Sequence, residues 1–256
     1  MFTAVAHKNM AAAEVYFVEH LSQNDYYAAG EIRPGQWIGV GAERLGLNTG
    51  QEVTREQFCA LCENQHPQRS ERLTQRQNSP GQRRVFFDFT CSAPKSVSVL
   101  AVTLDDQRLV EAHSEASSVA FRELESFAAT RARKAGNQRD RTTGNLIAAA
   151  FIHTSSRSLD PQMHTHFTVF NGTFDEREQC WKALQAGAMY DGIRYATAVY
   201  RNELARRVRA IGYRITPARH GFEIEGVSEV VLRRFSKEPS INNLYLFKSR
   251  CAKDHH

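Results

Sequence analysis

Apolar positions that alternate, or recur three or four residues apart, divide the chain into strands and helices. FTAVAH (2–7) alternates and predicts an opening strand, and in NMAAAEVYFVEHLS (9–22) Met10, Ala13, Phe17 and Leu21 recur at helical spacing. Tyr26 to Gly50 is loop-rich, with Pro34 and several glycines, and residues 54–64 predict a short helix. Residues 65–84 are polar and arginine-rich, carry Pro67, Pro80 and Gly81, and read as a mobile loop. RVFFDFT (84–90) has the aromatic content of a strand. SAPKSVSVLAVTL (92–104) predicts a helix with Ser92 as its cap and Pro94 in its first turn. Leu109, His113, Ala116, Ala120, Leu124 and Phe127 place 106–134 on one long amphipathic helix, followed by a basic turn at 133–144. NLIAAAFIHT (145–154) and HTHFTVF (164–170) predict strands joined by a polar loop. A helix over 185–211, a β-hairpin over 212–226 and a short helix over 228–237 follow. Hairpin-like strands and long helices without regular βαβ alternation give an α+β class, with helices packed on an antiparallel sheet.

Chemistry enters at DPQMHTHFTV (160–169). Strand side chains alternate, so His164, His166 and Thr168 share a face. On the preceding strand Ile147, Ala149, Phe151 and His153 share one, and the short connection returns the chain antiparallel. His153 then sits beside the pair. Three neutral imidazoles on one sheet face make a three-nitrogen site for a divalent cation, with coordination positions left open to polarise a substrate oxygen. Histidines that merely satisfy a core or lie at the surface are the alternative. Asp88 shares its face with Phe86 and Thr90, where a carboxylate is costly unless paired. It either orients a metal-bound imidazole, accepts a proton from a nucleophile, or caps the turn at Ser92. Tyr16 borders the apolar stripe of its helix, with His20 one turn later as a base for the phenol. A tyrosine with an open metal site is the arrangement for phosphodiester transesterification, although tyrosines so placed also serve as packing residues.

The 256 residues suit one large domain, and 33 Lys and Arg against 28 Asp and Glu give a net charge of +5, which suits a polyanionic partner without requiring one. Five cysteines, no leader-like opening and no apolar run of roughly 20 residues point to a cytoplasmic protein without membrane insertion. Cys59 and Cys62 lack a second pair and read as one face of a helix. Ser92-x-x-Lys95 lacks the companion motifs of a serine acylase. His153-Thr154-Ser155 and His166-Phe167-Thr168-Val169 lie too close in sequence for a two-lobed phosphoesterase.

VYF…NDYY, GVGAERLGL, FDFTCSAPKSVSV, TTGNLIAAAFIHTSSRSLDPQMHTHFTVFN, WKAL and AVYRNELARRVRAIGY resemble, in order, the N-terminal relaxase domain of the conjugative relaxase–helicases, the MobF class of the HUH endonuclease superfamily. The resemblance implies a five-stranded antiparallel sheet flanked by helices, with a mobile C-terminal segment. It implies that His153, His164 and His166 hold a divalent metal, Mg2+ or Mn2+ or another transition metal, on the scissile phosphate. Tyr16 would attack that phosphate at the nick site of single-stranded plasmid DNA, at the origin of transfer. It would join to the 5′ phosphate and leave a 3′ hydroxyl. Asp88 would orient a ligand histidine and take the tyrosine proton, and Tyr26 or Tyr27 would serve a later strand transfer. Accessory relaxosome and coupling proteins, a monomeric state and passage to a recipient cell are implied as well.

The chain departs from the family in three ways. Tyr16-Phe17 stands where relatives often carry Tyr-Tyr, the spacer to Tyr26 is slightly long, and the likeness ends after Lys237. The expected division is a relaxase domain over 1–237 and a divergent tail over 238–256, without the helicase region that usually follows. Lys95, Arg76, Arg83, Arg84, Arg139 and Arg141 are the candidate DNA contacts, and Trp37 and Tyr190 the candidate base-stacking residues. A DNA-binding fragment without productive catalysis, or a metal-dependent phosphoesterase, are the competing readings.

Overall fold

A computed structural model of the chain describes residues 1–7, 34–75, 84–134, 137–156, 160–219 and 221–235. Along these residues the strands are β1 (Phe2–His7), β2 (Gln36–Ile38), β3 (Phe86–Ser92), β4 (Ala129–Lys134), β5 (Asn137–Thr142), β6 (Ala148–Ser155), β7 (Pro161–Phe170), β8 (Thr173–Asp175), β9 (Cys180–Lys182), β10 (Leu184–Gln185), β11 (Ile215–Ala218) and β12 (Gly221–Ile224). The helices are α1 (Val40–Arg44), α2 (Arg55–Cys62), α3 (Lys95–Thr103), α4 (Gln107–Glu125), α5 (Gly187–Ile211) and α6 (Glu229–Arg234). A five-stranded sheet runs in the order β1-β3-β7-β6-β2, and every neighbouring pair is antiparallel. The α+β class and the five-stranded sheet are as expected.

The two faces of this sheet differ. Phe87, Phe89, Met163, Phe167 and Val169 point to the side covered by α4 and α5, where they meet Leu109, Phe121, Leu124, Tyr200 and Leu204 in the main core. Phe121 and Phe167 stack there with centroids 4.4 Å apart. On the other face Trp37, Phe58, Phe86, Phe151 and Phe170 build a second core with Leu45 and Leu47. That second core covers the end of the sheet where β7 finishes and leaves the beginning of β7, with His164 and His166, to the site.

The edge strand β2 is held by a buried carboxylate. Glu125 Oε1 accepts from the amides of Val40 and Leu146, both at 2.8 Å. Gly39, with φ of 106°, lets the chain pass: a β-carbon there would lie 2.5 Å from the Leu146 carbonyl oxygen. Either amide left unpaired would cost about 1–3 kcal/mol.

Several expectations are corrected. The helix drawn over 106–134 ends at Glu125, and Ala129–Lys134 is a strand pairing with β5 and β10. Alanine, arginine and lysine favour helix locally, so ladder pairing overrides propensity here. The basic turn is accordingly the rest of a β-hairpin. Ser92 is the last residue of β3 and not a cap; α3 starts after Pro94 without a side-chain cap of its own. Its Ser96 amide donates instead to Glu223 Oε2 at 2.9 Å, a group from β12. Trp37 is buried and not a stacking platform. Cys59 and Cys62 lie on α2, which opens with a Thr54–Gln57 capping box, and Cys62 is buried. No helix among the described residues is long and apolar enough to cross a membrane.

The start of α4 makes a pH-dependent contribution. Asp106 accepts from Arg108 Nη2 at 2.7 Å, from Arg108 Nε at 2.8 Å and from the Tyr213 hydroxyl at 2.8 Å. The Arg108 hydrogen bonds, and then that of Tyr213, hold its carboxyl down at about 2. The folded value lies below the unfolded one, near 3.9, so this contribution is present above that pH and is lost as pH falls toward about 2. Asp106→Asn is expected to lower the melting temperature at pH 7, with the deficit shrinking as a melting series descends through that window.

Candidate metal and catalytic site

Strand register brings the three histidines together. On β7 His164 lies opposite His153 of β6 and Ser92 of β3, and His166 lies opposite Phe151 and Thr90. Opposed residues of an antiparallel pair share a face, so His153, His164, His166, Thr90 and Ser92 all point to the side away from α4 and α5. The ring centroids are 5.3 Å apart for His153 and His164, 5.5 Å for His153 and His166, and 4.9 Å for His164 and His166. His153, His164 and His166 are themselves half-buried.

The hydrogen bonds set the tautomers of two rings. His164 Nδ1 lies 2.7 Å from the Gln162 carbonyl oxygen. A carbonyl only accepts, so Nδ1 carries the proton and the neutral ring keeps its lone pair on Nε2. His166 Nδ1 lies 2.8 and 3.0 Å from the two oxygens of Asp88, with the same consequence. Asp88 is buried, and this pairing is what makes a carboxylate among phenylalanines tolerable. The Thr90 hydroxyl stands 3.2 Å from the same Nδ1 and donates to Asp88 Oδ2 at 3.5 Å. Of the roles open to Asp88, these hydrogen bonds match the orienting one.

The donor set suits a borderline divalent ion: three imidazoles, two of them with Nδ1–H directed to an oxygen partner. In the present side-chain conformation, no group of three or more His, Cys, Asp or Glu among the described residues has the geometry to hold a metal ion. The ring planes of His153 and His164 differ by 18°, and that of His166 stands nearly perpendicular to His153, at 90°. The residues fit such an ion in chemistry and placement.

The other candidates divide. Tyr16, Tyr26, Tyr27, His20, Arg76 and Arg83 lie outside the described residues. Arg84 and Arg139 are exposed. Arg141 is ion-paired within the chain: its guanidinium lies 2.7 Å from Asp175 and 3.4 Å from Glu178, in a network that Lys182 completes. Lys95 Nζ donates to the Pro161 carbonyl at 3.1 Å and fastens α3 to the start of β7. Tyr190 is 37% exposed and packs on Phe89. Thr90 was not singled out from sequence; alternation puts it on the Asp88 face, but its meeting with His166 depends on cross-strand register.

The site is thus a three-histidine cluster on the face of an antiparallel sheet backed by helices, with a buried carboxylate hydrogen-bonded to one of its rings. The TrwC relaxase family model matches residues 10–240. The multifunctional conjugation protein TraI of Escherichia coli is 35% identical over 232 residues, which are 86% of this chain and 13% of TraI. TraI of Escherichia coli strain K12 is 35% identical over 220 residues, 81% of this chain and 12% of that protein. The chain thus spans about an eighth of the length of these curated relatives. Among solved structures, the metal-bound complex of conjugative relaxase TrwC with oriT DNA matches with a TM-score of 0.81 at 29% identity, covering 99% of this chain and 84% of that one. The copper-bound TrwC–oriT complex matches at 0.82 and 30% identity, covering 93% and 80%. The chain belongs to the TrwC relaxase family.

Proposed function

We propose that the chain is a DNA relaxase domain that nicks single-stranded DNA at a plasmid origin of transfer. The observation that carries this is the convergence of His153, His164 and His166 on one sheet face, with Asp88 on His166 Nδ1, in a member of this family. His153, His164 and His166 would hold a divalent ion, which would supply Lewis acidity to the scissile phosphate. In His164 and His166 the lone pair lies on Nε2, because Nδ1–H donates to the Gln162 carbonyl and to Asp88. Tyr16 attacks the phosphorus through its phenolic oxygen. A bond forms from that oxygen to phosphorus, and the bond to the 3′ oxygen breaks. The phenol gives up its proton and the 3′ oxygen gains one. The strand ends as a 5′ phosphotyrosine and a 3′ hydroxyl, and the conserved ester bond lets a 3′ hydroxyl rejoin it without ATP. Tyr26 or Tyr27 serves a later strand transfer. Mg2+ and Mn2+ remain the first ions to test, and a nitrogen donor set ranks Mn2+ below Co2+, Ni2+ and Cu2+ in affinity. Accessory relaxosome proteins and a coupling protein complete this reading as partners.

The test is a labelled single-stranded oligonucleotide panel carrying transfer-origin nick sites, incubated with the protein and Mg2+ or Mn2+. A denaturation-resistant adduct that maps to Tyr16 and is lost in Tyr16→Phe is expected. Binding without an adduct would make the chain a DNA-binding fragment, and cleavage surviving Tyr16→Phe would make it a phosphoesterase.

A further inference from the structure

Between His164 and His166 stands Thr165, whose side chain points the opposite way, into the helix-side core, and is 1% exposed. Its Oγ1 lies 2.9 Å from His113 Nε2 of α4, and His113 Nδ1 lies 2.7 Å from the Tyr200 hydroxyl of α5. Ser117 of α4 stands 3.5 Å from Thr165 Oγ1 and donates its own proton to the Ser114 carbonyl at 2.9 Å. Tyr200, His113, Thr165 and Ser117 are all buried.

The proton order can be worked out from one end. Ser117 has spent its only proton on a carbonyl, so it accepts from Thr165. Thr165, having donated to Ser117, accepts from His113, so His113 carries its proton on Nε2. Nδ1 of His113 therefore accepts from the Tyr200 hydroxyl. Tyr200, His113, Thr165 and Ser117 form one directed relay in which each donor is used once, ending on a backbone carbonyl. Burial holds His113 neutral, pushing it down to about 3. A fully satisfied relay of this kind is directional, whereas the apolar contacts around it are not. It ties α4 and α5 to the one residue of β7 that separates two of the site's imidazoles.

We propose that the Tyr200–His113–Thr165–Ser117 relay positions the histidine pair for metal, setting the placement of β7 under His164 and His166 from behind the sheet. This rests on the reading of His153, His164 and His166 as ligands. None of the relay residues touches the metal; they are positioning residues.

The experiment is Co2+ titration of the full chain, followed by visible d–d absorption and calorimetry, alongside melting of the metal-free protein. His255→Ala and His256→Ala are present throughout, so that the terminal histidine pair does not compete. Thr165→Val keeps the shape and loses the hydroxyl; Thr165→Ser keeps the hydroxyl and loses a methyl group. Thr165→Val and Tyr200→Phe are expected to weaken Co2+ binding roughly 10-fold, the lower end of what outer partners contribute, and to alter the d–d bands. Thr165→Ser is expected to stay near wild type in both. Wild-type affinity and spectrum in Thr165→Val and Tyr200→Phe, with only the melting temperature changed, would overturn the relay's role while leaving the ligand reading intact. A parent chain that binds no Co2+, or binds it equally well as His164→Ala, would overturn both.

Discussion

His164→Ala is expected to abolish adduct formation and to weaken divalent-metal binding more than about 100-fold, beyond the loss that removal of an outer partner causes, while affinity for origin DNA changes only a few-fold. The three rings form a near-equilateral triangle, with centroids 5.3, 5.5 and 4.9 Å apart. Removing His164 leaves two imidazoles, and two ligands hold a labile ion far less well than three. Phosphate contacts from basic residues dominate DNA affinity in general, so binding and chemistry are expected to separate. His164 is half-buried at the open end of the sheet, and its loss leaves both hydrophobic cores in place. The melting temperature of the variant therefore stays close to wild type. Gel-resolved adduct, calorimetric metal titration and fluorescence anisotropy with an origin oligonucleotide read the three quantities. Nicking at the wild-type rate would remove His164 from the ligand set.

Asp88→Asn is expected to give the second-largest effect, a loss of roughly 10–100-fold in metal affinity with a parallel fall in nicking. Asparagine keeps the size of the side chain and one oxygen that can accept from His166 Nδ1. It loses the negative charge that makes the imidazole a stronger donor, and its amide group can turn toward Nδ1 and reverse the tautomer. The same substitution replaces a buried ionised carboxylate with a neutral group that can still accept from His166, so stability is expected to hold or rise. Those opposite signs discriminate between roles. A variant that melts lower and binds metal as well as wild type would make Asp88 a structural residue only.

Much of the site was legible in the chain before the fold was known. Alternation alone puts His164 and His166 on one face, and the short connection back from β6 brings His153 to their side. The cross-strand register that sets Thr90 opposite His166 has no local signature, because it follows from the way three strands slide into place together. The strand at Ala129–Lys134 was hidden for a different reason: its residues favour helix, and only pairing with β5 and β10 makes it extended. Trp37 read as a surface aromatic because β2 is only three residues long. The ion pairs of Arg141 had no local signature, because its partners Asp175 and Glu178 lie more than thirty residues away in sequence. The relay behind β7 was half visible: His113 stood on the apolar stripe of its helix, but nothing local joined it to Thr165 and Tyr200.

Counting the imidazole nitrogens on a bound ion tests the shared metal site most directly. One equivalent of Cu2+ added to the His255→Ala/His256→Ala chain, followed by pulsed electron paramagnetic resonance, should show three coupled imidazoles, falling to two in His153→Ala. A spectrum without imidazole couplings, or one that His153→Ala, His164→Ala and His166→Ala all leave unchanged, would contradict the assignment of these three residues to one ion.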